Sequence, residues 1–307
     1  MNPQFDHFLT FVNTENIDDY VEKYRVLGFA VSDKTHRYKP GLRNRFILLG
    51  CEYLELVWVE NEVEFAAGGS EEFARMYKDL PALRTTARPF SIGFNSPDVE
   101  ALHQEWTGRG FTIPSIWSFA PPDMPPVFSF QEIPEDLLPG ANCFAITYHM
   151  GSTSQDRLVQ RAANTIYAVE GVTFITPAPE EAAKRWQIFL SPDEGIITHQ
   201  EVYSVTITPH IAWWMSPETF QEHYQIAWTP TPHRYGHLAA IHLFAEDLDV
   251  ARSVLGSRVM RQIDREEKLL LVSPIGEDGV IFIIREYPIE LWQSERSSVT
   301  GERIVIS

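Results

Sequence analysis

Apolar and polar positions along the chain fall into one recurring pattern. From His7 to Phe29 a short apolar run passes through a polar turn (Asn13-Thr14). Ile17, Tyr20, Val21, Tyr24 and Leu27 then recur at i, i+3, i+4, i+7 and i+10. That spacing predicts a strand, a turn and a helix with one apolar stripe. From Pro89 to Phe111 the pattern returns, with a turn at Asn95-Ser96 and a stripe of Val99, Leu102 and Trp106. The two segments are 23 residues long, align without a gap at an offset of 82, and both end in Gly-Phe, the glycine serving as a helix stop. Two weaker copies follow. Val169–Leu190 gives a strand, a proline-marked turn and a helix with Ala182, Trp186 and Phe189 on one face. Leu238–Gly256 gives a strand, an acidic turn capped by Asp247–Asp249, and a short helix with Leu248, Ala251 and Val254-Leu255.

Each helix is followed by strand-like runs: Arg45–Leu49 and Tyr53–Val59; Thr112–Phe119, Val127–Gln131 and Cys143–Tyr148; Val202–Thr208 and Ile211–Met215; Leu269–Val272 and Val280–Arg285. The unit is therefore β-α followed by two or three strands, used four times in an α+β chain. Met150–Asn164, polar and Gly/Ser-rich at its start, predicts a linker that splits the chain almost in half. Ser70–Leu83 predicts an extra helix. So does Ser216–Gln225, with Ser216 at the N-cap and Pro217 at the first helical position.

Composition narrows the function classes. The charge sum is 25 − 42 = −17, which repels phosphate backbones and anionic lipid, so neither nucleic acid nor a membrane surface is an expected partner. No apolar run approaches the roughly 20 residues of a membrane span. The start, MNPQFDHFLTF, has neither the basic n-region nor the apolar h-region of a secretory signal. Cys51 and Cys143 lie in apolar surroundings and are read as buried thiols, so the expected setting is the cytoplasm. No glycine-rich phosphate loop, Cys-x-x-Cys pair or Gly-x-Ser-x-Gly elbow occurs.

Paired βαβββ modules, two per domain, resemble the vicinal oxygen chelate superfamily of glyoxalases, extradiol dioxygenases and antibiotic-resistance proteins. The N-terminal half is most similar to its glyoxalase-like domain family. The residues carrying the resemblance are Asp6-His7, Leu27-Gly28-Phe29, Gly41-Leu42-Arg43-Asn44 and Tyr53-Leu54-Glu55-Leu56. It is clear over residues 1–150 and rests on the module pattern alone over 164–290. It implies two glyoxalase-like domains with curved mixed sheets, residues 1–155 holding modules one and two and residues 164–307 modules three and four. It also implies a small-molecule partner and allows a homodimer.

In this superfamily the first and last strands of a module supply His and Glu ligands. The resemblance therefore makes His7 and Glu55 candidates for a divalent metal (Fe, Mn, Ni or Zn). The second module offers Pro89 in place of His7 and no carboxylate in its last strand. A third ligand would come from His149, His242 or Glu170, with His242 the residue taken here. The alternative is a metal-free cleft in which His7 and Glu55 are a hydrogen-bonded pair, with Glu55 as a catalytic base. Arg43 and Asn44 could hold polar oxygens of a ligand, and Trp58, Trp117 and Tyr148 could wall an aromatic or keto/carboxylate-bearing guest. The expected activity is of lyase, isomerase or dioxygenase type; non-catalytic binding or sequestration is the alternative.

Overall fold

The computed structural model describes residues 3–12, 17–33, 35–39, 41–67, 91–120, 125–149, 156–159, 161–226, 237–264, 268–275, 280–300 and 303–306. The helix expected at Ser70–Leu83, the Asn13-Thr14 turn and Pro89 lie outside them.

The N-terminal half comprises β1 (Gln4–Phe11), α1 (Ile17–Val26), β2 (Ala30–Val31), β3 (His36–Lys39), β4 (Leu42–Leu48), β5 (Tyr53–Val59), α2 (Glu62–Ala67), β6 (Ser91–Asn95), α3 (Val99–Gly108), β7 (Trp117–Phe119), β8 (Phe128–Ile133) and β9 (Asn142–Tyr148). These strands form one sheet in the order β2-β4-β5-β1-β6-β9-β8-β7, with β3 on β4. Next come β10 (Asp156–Val159), β11 (Ile166–Ile175), α4 (Pro179–Leu190), β12 (Ile197–His199), β13 (Val202–Ile207), β14 (His210–Met215), α5 (Pro217–Tyr224) and β15 (His237–Ala245). The chain ends with α6 (Leu248–Leu255), β16 (Val259–Asp264), β17 (Lys268–Val272), β18 (Ile281–Glu286), α7 (Ile289–Thr300) and β19 (Arg303–Ile306). The second sheet runs β12-β13-β14-β11-β15-β18-β17-β16.

Each sheet is made the same way. In the first, β1 and β6 are antiparallel at the centre, and each has a parallel partner from its own module, β5 and β9. In the second, β11 and β15 meet antiparallel and are flanked by β14 and β18. Modules thus pair one with two and three with four, in two mixed sheets that are not closed barrels. The expected caps form: Asp247 accepts from Val250 N–H, and Ser216 from Thr219 N–H, with Pro217 opening its helix. The expected strand Thr112–Phe119 shrinks to β7. Pro114 has no N–H for a ladder, and its carbonyl is taken by Gln131 Nε2 at 2.8 Å. Part of the expected linker is strand β10, paired in parallel with β19; neither β19 nor α7 was expected.

The four module helices share one apolar core with strand residues of both sheets. Trp186 on α4 meets Phe94 of the first sheet and Phe174 and Trp214 of the second at centroid distances of 6.1, 4.9 and 5.3 Å. Its indole N–H donates to the Pro139 carbonyl at 2.9 Å. Trp106 on α3 lies 4.4 Å from Phe189 on α4. The helices therefore lie between the sheets, and each sheet turns its other face away.

A buried ionic cluster closes the junction. The β4–β5 turn presses on β11 so closely that a Cβ on Gly50 would lie 1.9 Å from the Tyr167 carbonyl oxygen. That turn delivers Glu52, fully buried, to Arg296 of α7 and to His210 Nε2 at 3.1 Å, with Val169 N–H donating to its other oxygen at 3.4 Å. Burial alone would raise the Glu52 pKa, but Arg296 and His210 together outweigh it and bring it down to about 2. A carboxylate with a depressed folded pKa stabilises the fold above its unfolded value and loses that contribution as pH falls. Stability is expected to drop by about 3 kcal/mol between pH ~4.5 and ~2 from this group. Urea denaturation across that range checks it, and Glu52→Gln should flatten the slope. The same variant leaves Arg296 and His210 buried without their anion, an expected loss of about 3–5 kcal/mol at pH 7.

Candidate functional site

The site grows from an irregularity in β1. Strict alternation would send Asp6 and His7 to opposite faces. The β1–β6 register slips between Phe5 and His7 instead, a bulge that lets two successive residues share a face. Phe5 and Phe8 both enter the shared core, while Asp6 and His7 both turn to the face away from the helices. The same face carries the apolar groups Leu9, Leu42 and Val57, and Phe130, Phe144 and Ile146. Trp117 touches both groups.

His7 is 3% exposed. Its Nδ1 lies 2.7 Å from Asp6 Oδ2, so Nδ1–H donates to that carboxylate and Nε2 points to Glu55 Oε2, 3.7 Å away. Tyr148 O–H donates to the same Asp6 oxygen at 2.8 Å, and the Tyr53 hydroxyl lies 3.1 Å from that of Tyr148. Tyr53 stacks on the imidazole with centroids 4.8 Å apart and planes within 6°. On β4, Asn44 Nδ2 donates to Glu55 Oε1 at 2.5 Å. Burial lowers the His7 pKa, but the Asp6 hydrogen bond and charge, with Glu55, outweigh it and leave it raised. Burial, Asp6 and Tyr53 all push the Tyr148 hydroxyl well above its ordinary value.

Of the residues singled out in the sequence, the fold brings His7, Glu55, Asn44, Tyr148 and Trp117 to this face. It takes Arg43 and Trp58 elsewhere. Arg43 lies opposite Asn44 on β4 and pairs with Glu60 at 2.6 Å; Trp58 is buried in the shared core. Both expectations of ligand contact are corrected by strand alternation. His242 belongs to β15 of the second sheet, its Nε2 2.7 Å from Thr173 Oγ1 and its ring 4.4 Å from that of Trp213, so it cannot complete a set with His7 and Glu55. Burial first, then Arg285 and His223, lower its pKa to about 3. His149 is exposed and meets Ser129 Oγ at 2.7 Å, and Glu170 pairs with Arg285 at 2.7 Å. Asp6 and Tyr53, which the sequence offers only as motif residues, join His7 and Tyr148 on this face. Gly93 was overlooked; a glycine across the ladder from a buried histidine is the signal that could have found it.

Register supplies the counterparts. Glu55 faces Leu9 on β1, and 82 residues on from Leu9, Ser91 faces Asn142. The β11 bulge between Val169 and Gly171 matches that of β1, so Gly171 stands where His7 does and Glu170 where Asp6 does. Glu55, two residues beyond the partner of His7, corresponds to Trp213, two beyond the partner of Gly171.

The sequence profile of the glyoxalase-like domain family matches residues 5–190. The chain belongs to that family, within the vicinal oxygen chelate superfamily. A Mn(II)-bound glyoxalase from Novosphingobium aromaticivorans superposes with a TM-score of 0.54 at 8% identity, covering 99% of this chain and 87% of that one. Homoprotocatechuate 2,3-dioxygenase from Arthrobacter globiformis gives 0.54 at 12%, covering 99% and 84%. A hypothetical protein from Staphylococcus aureus gives 0.53 at 12%, covering 93% and 100%. No curated protein matches the chain in sequence. These likenesses carry the fold.

Catalytic metal sites of this kind use three protein donors and an open position. The face offers His7 Nε2 and Glu55 Oε2, and the counterpart of Glu55 is the amide Asn142. Among the described residues no group of three His, Cys, Asp or Glu side chains is placed to hold a metal ion. The described residues do not fit a resident catalytic ion.

A Cβ on Gly93 would lie 2.6 Å from His7 Cε1 and 2.9 Å from Phe144 Cε2. Gly93→Ala is expected to displace the imidazole from Asp6 and to cost about 1–3 kcal/mol of stability, the usual penalty of overpacking. Thermal melting reads the second effect, and the His7 ring resonances in an NMR spectrum read the first.

Proposed function

We propose that the face bearing His7 and Glu55 binds a small organic molecule with an aromatic or apolar body and moves a proton on it, as an isomerase or lyase without a resident metal. The observation that supports this best is the chain Asp6–His7···Glu55–Asn44. In it an imidazole held by a carboxylate and a carboxylate held by an amide converge from two strands. Two such groups suffice for enolisation beside a carbonyl. Glu55 takes the carbon-bound proton, the C–H electron pair becomes the enol double bond, and His7 Nε2–H protonates the carbonyl oxygen; return to the neighbouring carbon isomerises the substrate. Asp6 orients the imidazole and favours its charged form, which suits the donor's task. Tyr53, Phe144 and Trp117 supply flat apolar walls. The superposed glyoxalase is described as Mn(II)-bound, which would make a divalent ion the natural rival; the donor count weighs against it. The same reading treats residues 1–155 and 164–307 as two glyoxalase-like domains, with the chemistry in the first.

The test is solvent exchange. Aromatic α-hydroxy ketones such as 2-hydroxyacetophenone are incubated with the protein in D2O, and loss of the C–H signal is followed by proton NMR. Glu55→Gln and His7→Ala are expected to slow exchange by about 10²–10⁴-fold. Exchange that is equal in the variants would dispose of the assignment. A second reading, ligand sequestration, draws on Gly171, Trp213 and Asn142 at the counterpart positions. Its signature is saturable binding with no exchange.

A further inference from the structure

Asn44 holds a buried acceptor that the polar chain does not use. The residue is 5% exposed, and its Oδ1 has no hydrogen-bond partner among the described residues while its Nδ2 donates to Glu55. The orientation of the amide follows from its neighbour: a carboxylate accepts only, so the NH2 must face Glu55 and the oxygen must face elsewhere. An unmet buried acceptor is costly, and β4 provides no other donor for it, since the adjacent Arg43 and Arg45 point to the opposite face, toward Glu60 and Asp18. Asn44 shares the face with His7 and sits across β4–β5 from Val57, a member of the Leu9, Leu42 and Val57 apolar group.

We infer that Asn44 is a specificity-determining residue that accepts a hydrogen bond, through Oδ1, from an O–H or N–H group of the ligand, so that the face selects aromatic molecules carrying such a donor over isosteres lacking one. The inference rests on the proposed function and names its substrate class. A hydroxyl or amine on the carbon that gives up its proton would satisfy Asn44 Oδ1 while the C–H of that carbon faces Glu55. An ether at that position would leave the amide oxygen unmet, and sites built to hydrogen-bond a ligand reject the analogue without the donor. Because the same amide also anchors Glu55, a ligand seated on Oδ1 is held against the carboxylate that acts on it.

Benzyl alcohol, benzylamine and benzyl methyl ether are titrated separately into the 307-residue chain, and binding is followed at the Trp117 indole N–H in TROSY spectra. The alcohol and the amine are expected to bind about tenfold more tightly than the ether, the worth of one buried hydrogen bond. Asn44→Leu should level the three. Asn44→Ala gives the same levelling if the leucine variant does not fold. Asn44→Asp, which keeps an acceptor, should retain the preference and favour the amine further. Equal binding of alcohol and ether by the wild type, or an undiminished preference in the leucine and alanine variants, overturns the inference while leaving the proposed function standing. No shift at Trp117 with any probe overturns both.

Discussion

A single extra residue in β1 decides where Asp6 and His7 point. Without the slip between Phe5 and His7, alternation back from Phe8 would turn the Asp6 carboxylate into the helix-facing core and Phe5 out of it, at the cost of several kcal/mol for an unpaired buried charge. With it, both residues turn outward and the helix-facing aromatics keep their places. The bulge lies in the central antiparallel pair that joins modules one and two, so the imidazole rests over Gly93, the backbone of the other module. Forming the sheet and forming the site are the same event.

The other faces of the sheets carry the burden of stability. One core runs through four helices and both sheets, pinned by Trp186, by Trp106 against Phe189, and by the Glu52–Arg296–His210 cluster. Little of that core touches His7, Glu55 or Asn44. A fold whose layers separate in this way can change its outer faces without losing its middle, in keeping with the range of chemistries that folds of this kind host.

The repeat was legible because the amphipathic stripe of each helix survives in the residues: Tyr20, Val21 and Tyr24 face the sheet as Leu102 and Trp106 do. His7 and Glu55 were readable from the module positions of a recognised architecture, Asn44 from the Gly41-Leu42-Arg43-Asn44 stretch and Tyr148 from the run of strand aromatics; the fold brings all four to one face. Arg43 and Trp58 go to the opposite face because alternation on β4 and β5 separates them from Asn44 and Glu55. His242 failed for a different reason. A sequence places it on a strand but does not say in which sheet, and strand pairing is a long-range fact. The bulge itself left no local mark, so nothing in the sequence tells Gly171 from Glu170 as the counterpart of His7.

The two outer faces show how neighbours set the state of one residue type. Each central strand pair carries a buried histidine opposite a glycine: His7 against Gly93, and His242 against Gly171. In the first sheet the ring finds Asp6 and Glu55, and charge outweighs burial. In the second it finds Thr173, with Arg285 nearby, and burial and charge act together to keep it neutral. The helix after the parallel partner strand differs in step. Helix α2 contributes Phe65 to one edge of the first face, whereas α5 sends Phe220 and Tyr224 in beside Ile175 and Met215. A neutral imidazole suits that apolar packing as a charged one would not. The acid-base character of the first face follows from its two carboxylates, and their counterparts explain its absence from the second: Asp6 becomes a Glu170 paired with Arg285, and Glu55 becomes Trp213.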